Sequence, residues 1–340
     1  MLQQSDSANE YPQLPYEFRL NNADAISEES VGFCPVCGSC QNQFYASGYD
    51  YELQTCSNLW KFVKCSVCDH VWLNPRPAIS ELSKIYPPHY YAYNYAAKIS
   101  PIAVKAKMWM DEGKMRKILR TLNHKPSSFL DIGCGEGRFL KVMDLLGVPK
   151  DRNYGLELDE RVVAPLREDG FQAYCERVED CQRIPAGSID LVTMFHVIEH
   201  VENPAAVISH VAKWLAPGGI FAIETPNIAS FDARIFQNTF WGGYHIPRHW
   251  NLFTEKTLSR LFIENGIKPL KSVYQTGHSF WMYSFHHWLR FGICLNPRMV
   301  KLFDPIGGSL PFLAAFTLFD KIRVASGCKT SAILIIGEKT

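Results

Sequence analysis

The sequence predicts an α/β fold: a doubly wound, mostly parallel sheet, preceded by a compact module built on paired cysteines and carrying an aromatic cap. Three observations predict it. From Ser127 onward, β-type hydrophobic segments alternate with helical patterns, as in a parallel sheet covered on both faces. A glycine loop follows the first of those segments directly, and two C-x-x-C pairs stand well ahead of it.

Residues 1–30 are polar and aperiodic, with clusters of Ser, Asn, Asp and Glu, and read as a mobile tail. Residues 31–77 change to short β-like pieces between cysteines and form the compact module. A helical linker is expected over 78–125, where Met115, Ile118, Leu119 and Leu122 fall at i, i+3, i+4, i+7 and Asn123 to Pro126 ends the run. The core follows over 126–276, with strands predicted at 129–132, 154–158, 191–195, 220–224 and 267–274. Between them a helical stripe, Ile208, Val211, Ala212 and Leu215, is stopped by Pro217-Gly218-Gly219. An insertion at 228–252 interrupts the core. Residues 277–330 are aromatic-rich and long for a connection, so they read as a hydrophobic cap, and 331–340 supply a final strand over 332–337.

With 340 residues the chain has room for one large α/β domain and a smaller module. Its 35 Lys+Arg against 34 Asp+Glu leave a net charge of +1, so no general electrostatic pull toward nucleic acid or acidic membranes exists. The N-terminus lacks a basic region followed by an apolar run, so no secretory signal or mitochondrial-type presequence is visible and the reading is cytoplasmic. The apolar stretch 310–319 contains Pro311 and is too short for a bilayer. It could lie on a membrane surface, which gives 280–325 a possible peripheral membrane contact. Eleven cysteines in such a chain point to reduced thiols or metal rather than disulfides.

Ligands of open parallel sheets bind beyond the carboxyl ends of the strands. Phe129-Leu130-Asp131-Ile132 runs straight into Gly133-Cys134-Gly135-Glu136-Gly137, where missing Cβ atoms allow close approach to the backbone. A dinucleotide fingerprint would be G-x-G-x-x-G, but Arg138 occupies its third glycine position. Asp131 suits a cationic ligand. Twenty residues beyond Gly137, Glu157 ends the second predicted strand, where a carboxylate can accept from both ribose hydroxyls of an adenosine ligand.

These residues resemble the class I methyltransferases dependent on S-adenosylmethionine (SAM), especially the branch containing ubiquinone-pathway O-methyltransferases. The likeness covers 129–227: the glycine loop, Gly155-Leu156-Glu157-Leu158-Asp159, Ser188-Ile189-Asp190-Leu191-Val192, Phe195-His196-Val197-Ile198-Glu199-His200-Val201 and Leu215-Ala216-Pro217-Gly218-Gly219. The resemblance implies a class I methyltransferase sheet whose last strand is antiparallel. It also implies that Asp131, Gly133 and Gly135 line the methionyl end, that Glu157 holds the ribose and that His196 borders the cofactor, with Cys134, Gly137 and Leu158 also counted among the cofactor-binding residues. Val178-Glu179 is the match to the adenine contact, with Val178 where the family usually has Asp. Cys134 is expected to pack rather than react.

Trp241-Gly242-Gly243-Tyr244-His245-Ile246-Pro247-Arg248-His249-Trp250 lies where this fold inserts substrate-binding residues. Histidine titrates in the range of a general base, so His249 or His245 is the expected base, Arg248 orients an anionic or carbonyl group, and Tyr244 lines the substrate pocket. A structural role for these histidines within the cap is the competing reading. His196 and His200 flank Glu199, but the order H-x-x-E-H inside the cofactor motif favours packing over metal.

Cys34-Pro35-Val36-Cys37 and Cys65-Ser66-Val67-Cys68 form two knuckles with 27 residues between them, a spacing suited to tetrathiolate zinc. Four thiolates close the shell, so the zinc is structural; Cys40 and Cys56 are expected to be free. The module, with 73–77 and 86–91, resembles the N-terminal zinc region of bacterial methyltransferases acting on sugars and polysaccharide precursors. That resemblance implies that the module folds over the site and that Tyr90 and Tyr91 line the pocket.

The chain therefore reads as an enzyme methylating a small-molecule acceptor: a sugar, a polysaccharide or lipid-linked precursor, or a quinone-like metabolite. Two rivals remain. A zinc-ribbon RNA methyltransferase is disfavoured because 31–77 carry few basic residues (Lys61, Lys64 and Arg76), and no nucleic-acid partner is expected. A degenerate fold acting as a binding protein is disfavoured by the intact loop and Glu157. The acceptor atom and the oligomeric state are not written in the sequence.

Overall fold

The computed structural model describes residues 23–87, 101–293, 296–305 and 309–340, with the backbone alone over 101–107. Its main sheet has seven strands: β1 (Phe129–Ile132), β2 (Asn153–Glu157), β3 (Gln172–Cys175), β4 (Ile189–Phe195), β5 (Leu215–Pro226), β6 (Ile267–Gln275) and β7 (Ala332–Lys339). Their spatial order is 6-7-5-4-1-2-3. Strands β1 to β5 pair in parallel, whereas β7 runs antiparallel to both neighbours, β5 and β6. This is the class I methyltransferase sheet, reversed last strand included. The chain order reverses between β1 and β4, which opens the ligand crevice at their carboxyl ends.

Side chains in the strands alternate between two cores. Leu130, Ile132, Val192, Met194, Phe221, Ile223, Ile333 and Ile335 face one side, against helices Pro204–Trp214 and Glu255–Glu264. Phe129, Leu191, Ile220, Ala222, Leu334 and Ile336 face the other, against Pro101–Leu119, Arg138–Leu145 and Glu160–Glu168. Strand β3 escaped the sequence reading because Gln172-Ala173-Tyr174-Cys175 buries only Ala173 fully and so carries almost no hydrophobic signal. Strand β5 begins at Leu215, through the Pro-Gly-Gly expected to precede it, with an irregularity in its register between Leu215 and Ile220.

The cysteine module is a second sheet. Asn42–Gly48, Trp60–Cys65 and Val71–Leu73 pair antiparallel, and a fourth strand, Asn251–Leu252, comes from the insertion within the core. The insertion is therefore the seam between module and core. Part of the expected tail is also ordered, since Glu28–Glu29 pairs with Arg76–Pro77. The expected cap contains helices His278–His287 and Leu310–Ala325, locked by stacking of Trp281 on Phe316 and by Asp320, which accepts from the Trp281 indole at 3.2 Å and the Gly277 amide at 2.8 Å. Among the described residues, no helix is long and apolar enough to cross a membrane.

One ion pair fixes the seam. Arg248, fully buried, donates to Asp50 Oδ1 and Oδ2 (3.0 and 2.9 Å), to the carbonyls of Ile85 and Ile246 (2.7 and 3.0 Å) and to Thr55 Oγ1 (3.3 Å). All five of its N–H groups are used. Burial alone would push the Asp50 carboxyl up, but Arg248 holds it below the usual range. Removing one partner of a buried pair strands the other charge, at a cost of about 3–5 kcal/mol. Asp50→Ala is therefore expected to lose stability of that order in urea denaturation, and a loss below about 1 kcal/mol would show that the pair does not hold the seam.

Candidate active site

The glycine loop leaves β1 with Gly133, Gly135 and Gly137 all at positive φ. Gly135 (φ 50°) has no atom within 4 Å of where a Cβ would stand, so its backbone borders open space. A side chain there would be both strained and in the way of a ligand. Across this opening Glu157, at the end of β2, accepts from the Gly135 amide with Oε2 (3.0 Å) and from the Leu158 amide with Oε1 (2.6 Å). Leu158 is 66% exposed beside it. An open glycine cradle with a carboxylate at its rim and an exposed apolar side chain adjacent fits a nucleoside-bearing ligand such as SAM.

Asp131 sits beneath the loop rather than in it. It is 2% exposed and accepts from the Thr193 hydroxyl at 2.6 Å, and burial pushes its carboxyl up to about 7. Its charge is therefore conditional near neutrality. Cys134 packs, as expected: it is buried, its sulfur lies against Gly155, and burial raises its thiol. Glu179 lies 3.8 Å from Arg177, beside the buried Val178.

Gly133 meets Val197 closely, which joins the loop to the end of β4. There His196, itself at φ 57°, lies 3.3 Å from both Glu199 Oε1 and Glu224 Oε1. Its side chain stays 45% exposed; partial loss of water opposes its charge, but the two carboxylates raise it to about 9, which favours the imidazolium at neutral pH. Lys114 completes the group, 2.7 Å from Glu224 and 3.7 Å above the Phe195 ring. Burial opposes ionisation of Glu224, yet His196 and Lys114 hold its carboxyl at about 2.

Behind His196 three imidazoles form a triangle: His200 to His249 is 4.7 Å between centroids, His245 to His249 is 4.9 Å and His200 to His245 is 6.3 Å. His249 Nδ1 donates to the Gly243 carbonyl at 2.8 Å, and burial drives its pKa well below the ordinary value. His245 Nδ1 lies 2.8 Å from Glu52 Oε2, and both side chains are almost wholly buried. Burial would raise the Glu52 carboxyl, but His245 lowers it. A carboxylate behind Nδ1 orients the ring, the arrangement of a backed general base.

Two expectations need correction. Arg248 cannot orient a substrate, because every donor of its fork is engaged in the seam. Tyr244 is a packing residue: it is 1% exposed, stacks on Phe62 at 4.8 Å and donates to the Gln237 carbonyl. Tyr90 and Tyr91 lie outside the described residues. The cysteine quartet does converge, with Cys34 Sγ and Cys68 Sγ 3.5 Å apart, Cys37 Sγ and Cys65 Sγ 3.5 Å apart, and all four within 4.8 Å of one another. A tetrahedral zinc with bonds of about 2.3 Å needs about 3.8 Å between sulfurs, so these residues fit the ion. Sequence reasoning missed Asp50, Glu52, Lys114 and Glu224. Asp50 and Glu52 lie in an aromatic stretch with no periodicity, and nothing in the chain announces that their partners are some 190 residues away.

The strand order and the glycine cradle define the class: a Rossmann-like methyltransferase fold. In agreement, residues 107–272 match the family described as "Methyltransferase domain". Among curated proteins, 103 residues are 36% identical to one named "Probable S-adenosylmethionine-dependent methyltransferase" of Mycolicibacterium smegmatis, covering 30% of this chain and 39% of that protein. Over 151 residues the chain is 30% identical to the ubiquinone biosynthesis O-methyltransferase of Xanthomonas axonopodis pv. citri, covering 39% of this chain and 62% of the relative. The chain thus spans between about two-fifths and three-fifths of these relatives. A solved SAM-dependent methyltransferase from Archaeoglobus fulgidus aligns at 18% identity and a TM-score of 0.44 over 68% of this chain and 94% of that one.

A cationic sulfonium favours the ionised form of Asp131. Ligation should then release a proton below about pH 7, and SAM affinity should rise by up to about tenfold from pH 6 to pH 8 before levelling. Calorimetric titrations in buffers of different ionisation enthalpy read both effects. Asp131→Asn should abolish them, and a pH-independent wild-type affinity would remove Asp131 from cofactor binding.

Proposed function

We propose that the chain is a SAM-dependent methyltransferase acting on a small-molecule acceptor, with His245 as general base backed by Glu52. The observation that carries the proposal is continuity. The open cradle at Gly135 leaves β1 and His196 leaves β4, and from His196 contacts run through Glu199 and His249 to the His245–Glu52 pair. Bound SAM would supply a methyl group already activated by its sulfonium, so the protein's task is alignment, exclusion of water and proton removal. Glu157 and the loop amides would hold the nucleoside. His245 Nε2 would take the acceptor's proton as the methyl bond forms, while the sulfur keeps the electron pair of the broken bond. His245 and His249 are only 5% and 7% exposed, which suits a site that excludes water.

The names of the curated relatives support methyl transfer, and small-molecule chemistry is favoured by the near-neutral charge and by the few basic residues around the cysteines. Exposed Leu310, Leu318 and Ile322 on one cap helix support an acceptor presented near a lipid surface. Zinc in the Cys34, Cys37, Cys65 and Cys68 quartet would be structural, closing the module whose Asp50 holds Arg248 and whose Glu52 reaches His245.

Labelled methyl transfer to sugar nucleotides, lipid-linked precursors, quinone-like phenols and RNA tests the reading. A labelled small molecule is expected, with turnover falling by about 10²–10⁴ in His245→Ala and less in Glu52→Gln, at unchanged cofactor affinity. Salt-sensitive labelling of RNA would favour an RNA substrate, and absence of SAM binding would favour a binding protein. Metal analysis should find zinc lost when Cys34 and Cys65 are replaced by Ser, together with cooperative unfolding of the module; wild-type protein without zinc would contradict the tetrathiolate site.

A further inference from the structure

Glu199, His200 and His249 bring one donor atom each to within 4.8 Å of one another. Their hydrogen bonds indicate which ring nitrogens are left to act as ligands. His249 Nδ1 is 2.8 Å from the Gly243 carbonyl, and His200 Nδ1 is 3.0 Å from both the Arg248 carbonyl and the Tyr86 hydroxyl, which can accept alongside it. A carbonyl only accepts, so both Nδ1 atoms carry the proton and both Nε2 atoms carry lone pairs. Glu199, fully buried, spends Oε2 accepting from the Thr225 hydroxyl at 3.0 Å. Its Oε1 is buried without a hydrogen bond of good geometry and stands 4.0 Å from His249 Nε2. Glu199 Oε1 and His249 Nε2, both acceptors, thus face one another with His200 beside them, which is unfavourable unless something positive lies between. Among the described residues, His196 meets Oε1 at 3.3 Å from the side of Glu224.

We propose that Glu199, His200 and His249 bind a divalent first-row cation, such as Zn²⁺, Mn²⁺, Fe²⁺ or Co²⁺, separate from the cysteine quartet. Two imidazoles whose Nδ1–H groups are anchored on backbone carbonyls, plus one carboxylate steadied by a hydroxyl, form a metal-ligand set with its outer shell in place. Bonds of about 2.1 Å require donors about 3.4 Å apart in a tetrahedral shell, a contraction that side-chain rotation can supply. Three protein ligands leave open positions, where an oxygen ligand would bind and lose its proton more readily. The binding site is independent of the methyl-transfer reading; a role for the ion in activating the acceptor rests on that reading.

Cobalt titration tests the site. Full-length protein with zinc retained in the cysteines and weakly held metal removed by a mild chelator is titrated with Co²⁺, followed by metal analysis and visible absorption. The expected result is one further equivalent giving weak d–d bands without thiolate-to-metal charge transfer, with affinity reduced tenfold or more in Glu199→Gln, His200→Gln and His249→Gln. Each variant is first shown to bind S-adenosylhomocysteine like the wild type, which certifies its fold. Should His249→Gln fail that check, the remaining two variants decide. Uptake of no further equivalent by the wild type, uptake with thiolate charge transfer, or unchanged uptake in the folded variants would overturn the proposal.

Discussion

The buried pair of Arg248 and Asp50 is the constraint on which the arrangement of the site depends. It joins a residue of the insertion within the core to a residue of the cysteine module, and it draws the Ile85 and Ile246 carbonyls into the same knot. The adjacent strand pairing of Asn251–Leu252 with Val71–Trp72 runs the module's sheet into the core's chain. Because the guanidinium fork is planar and all its donors are satisfied, the knot fixes orientation as well as contact. Glu52, two residues from Asp50, and His245, three residues from Arg248, are thereby held face to face. An arginine expected to meet substrate turns out to place the groups that could.

On the other side of the crevice the physics is that of an open sheet. Strand order reverses between β1 and β4, and the chain leaves β1 through glycines that can take positive φ. Glu157 reaches back to the loop amide, so a carboxylate and a backbone donor share one rim. The charged groups at the end of β4 alternate in sign from Lys114 to Glu224 to His196 to Glu199. Such a chain keeps four charges close without leaving any one uncompensated, which is the condition for burying ionised groups beneath a ligand site.

The core was legible because its signals are local. A hydrophobic run ending in glycines and a carboxylate at the next strand end each lie within a few consecutive residues, and a parallel sheet buried on both faces writes itself in apolar runs. The cysteine quartet was legible for the same reason, as spacing. Strand β3 was not, because a short edge strand buries little. Arg248, Asp50, Glu52 and Tyr244 were misread or missed because their roles come from partners far away in sequence: an arginine beside two histidines looks the same whether its fork faces a substrate or a buried aspartate. The donor geometry of His200 and His249 likewise depends on backbone carbonyls that no motif records.

The central claim is that the crevice opened between β1 and β4, with Glu157 of β2 at its rim, binds SAM through the glycine loop and Glu157. Calorimetric titration of S-adenosylhomocysteine, which carries the same nucleoside without the sulfonium charge, into wild-type protein and Glu157→Ala tests it most directly. One site with micromolar affinity is expected in the wild type, weakened tenfold or more in the variant, since charged hydrogen bonds contribute about 1.5–3 kcal/mol. Absence of binding to the wild type, or equal binding by a folded variant, would contradict the claim.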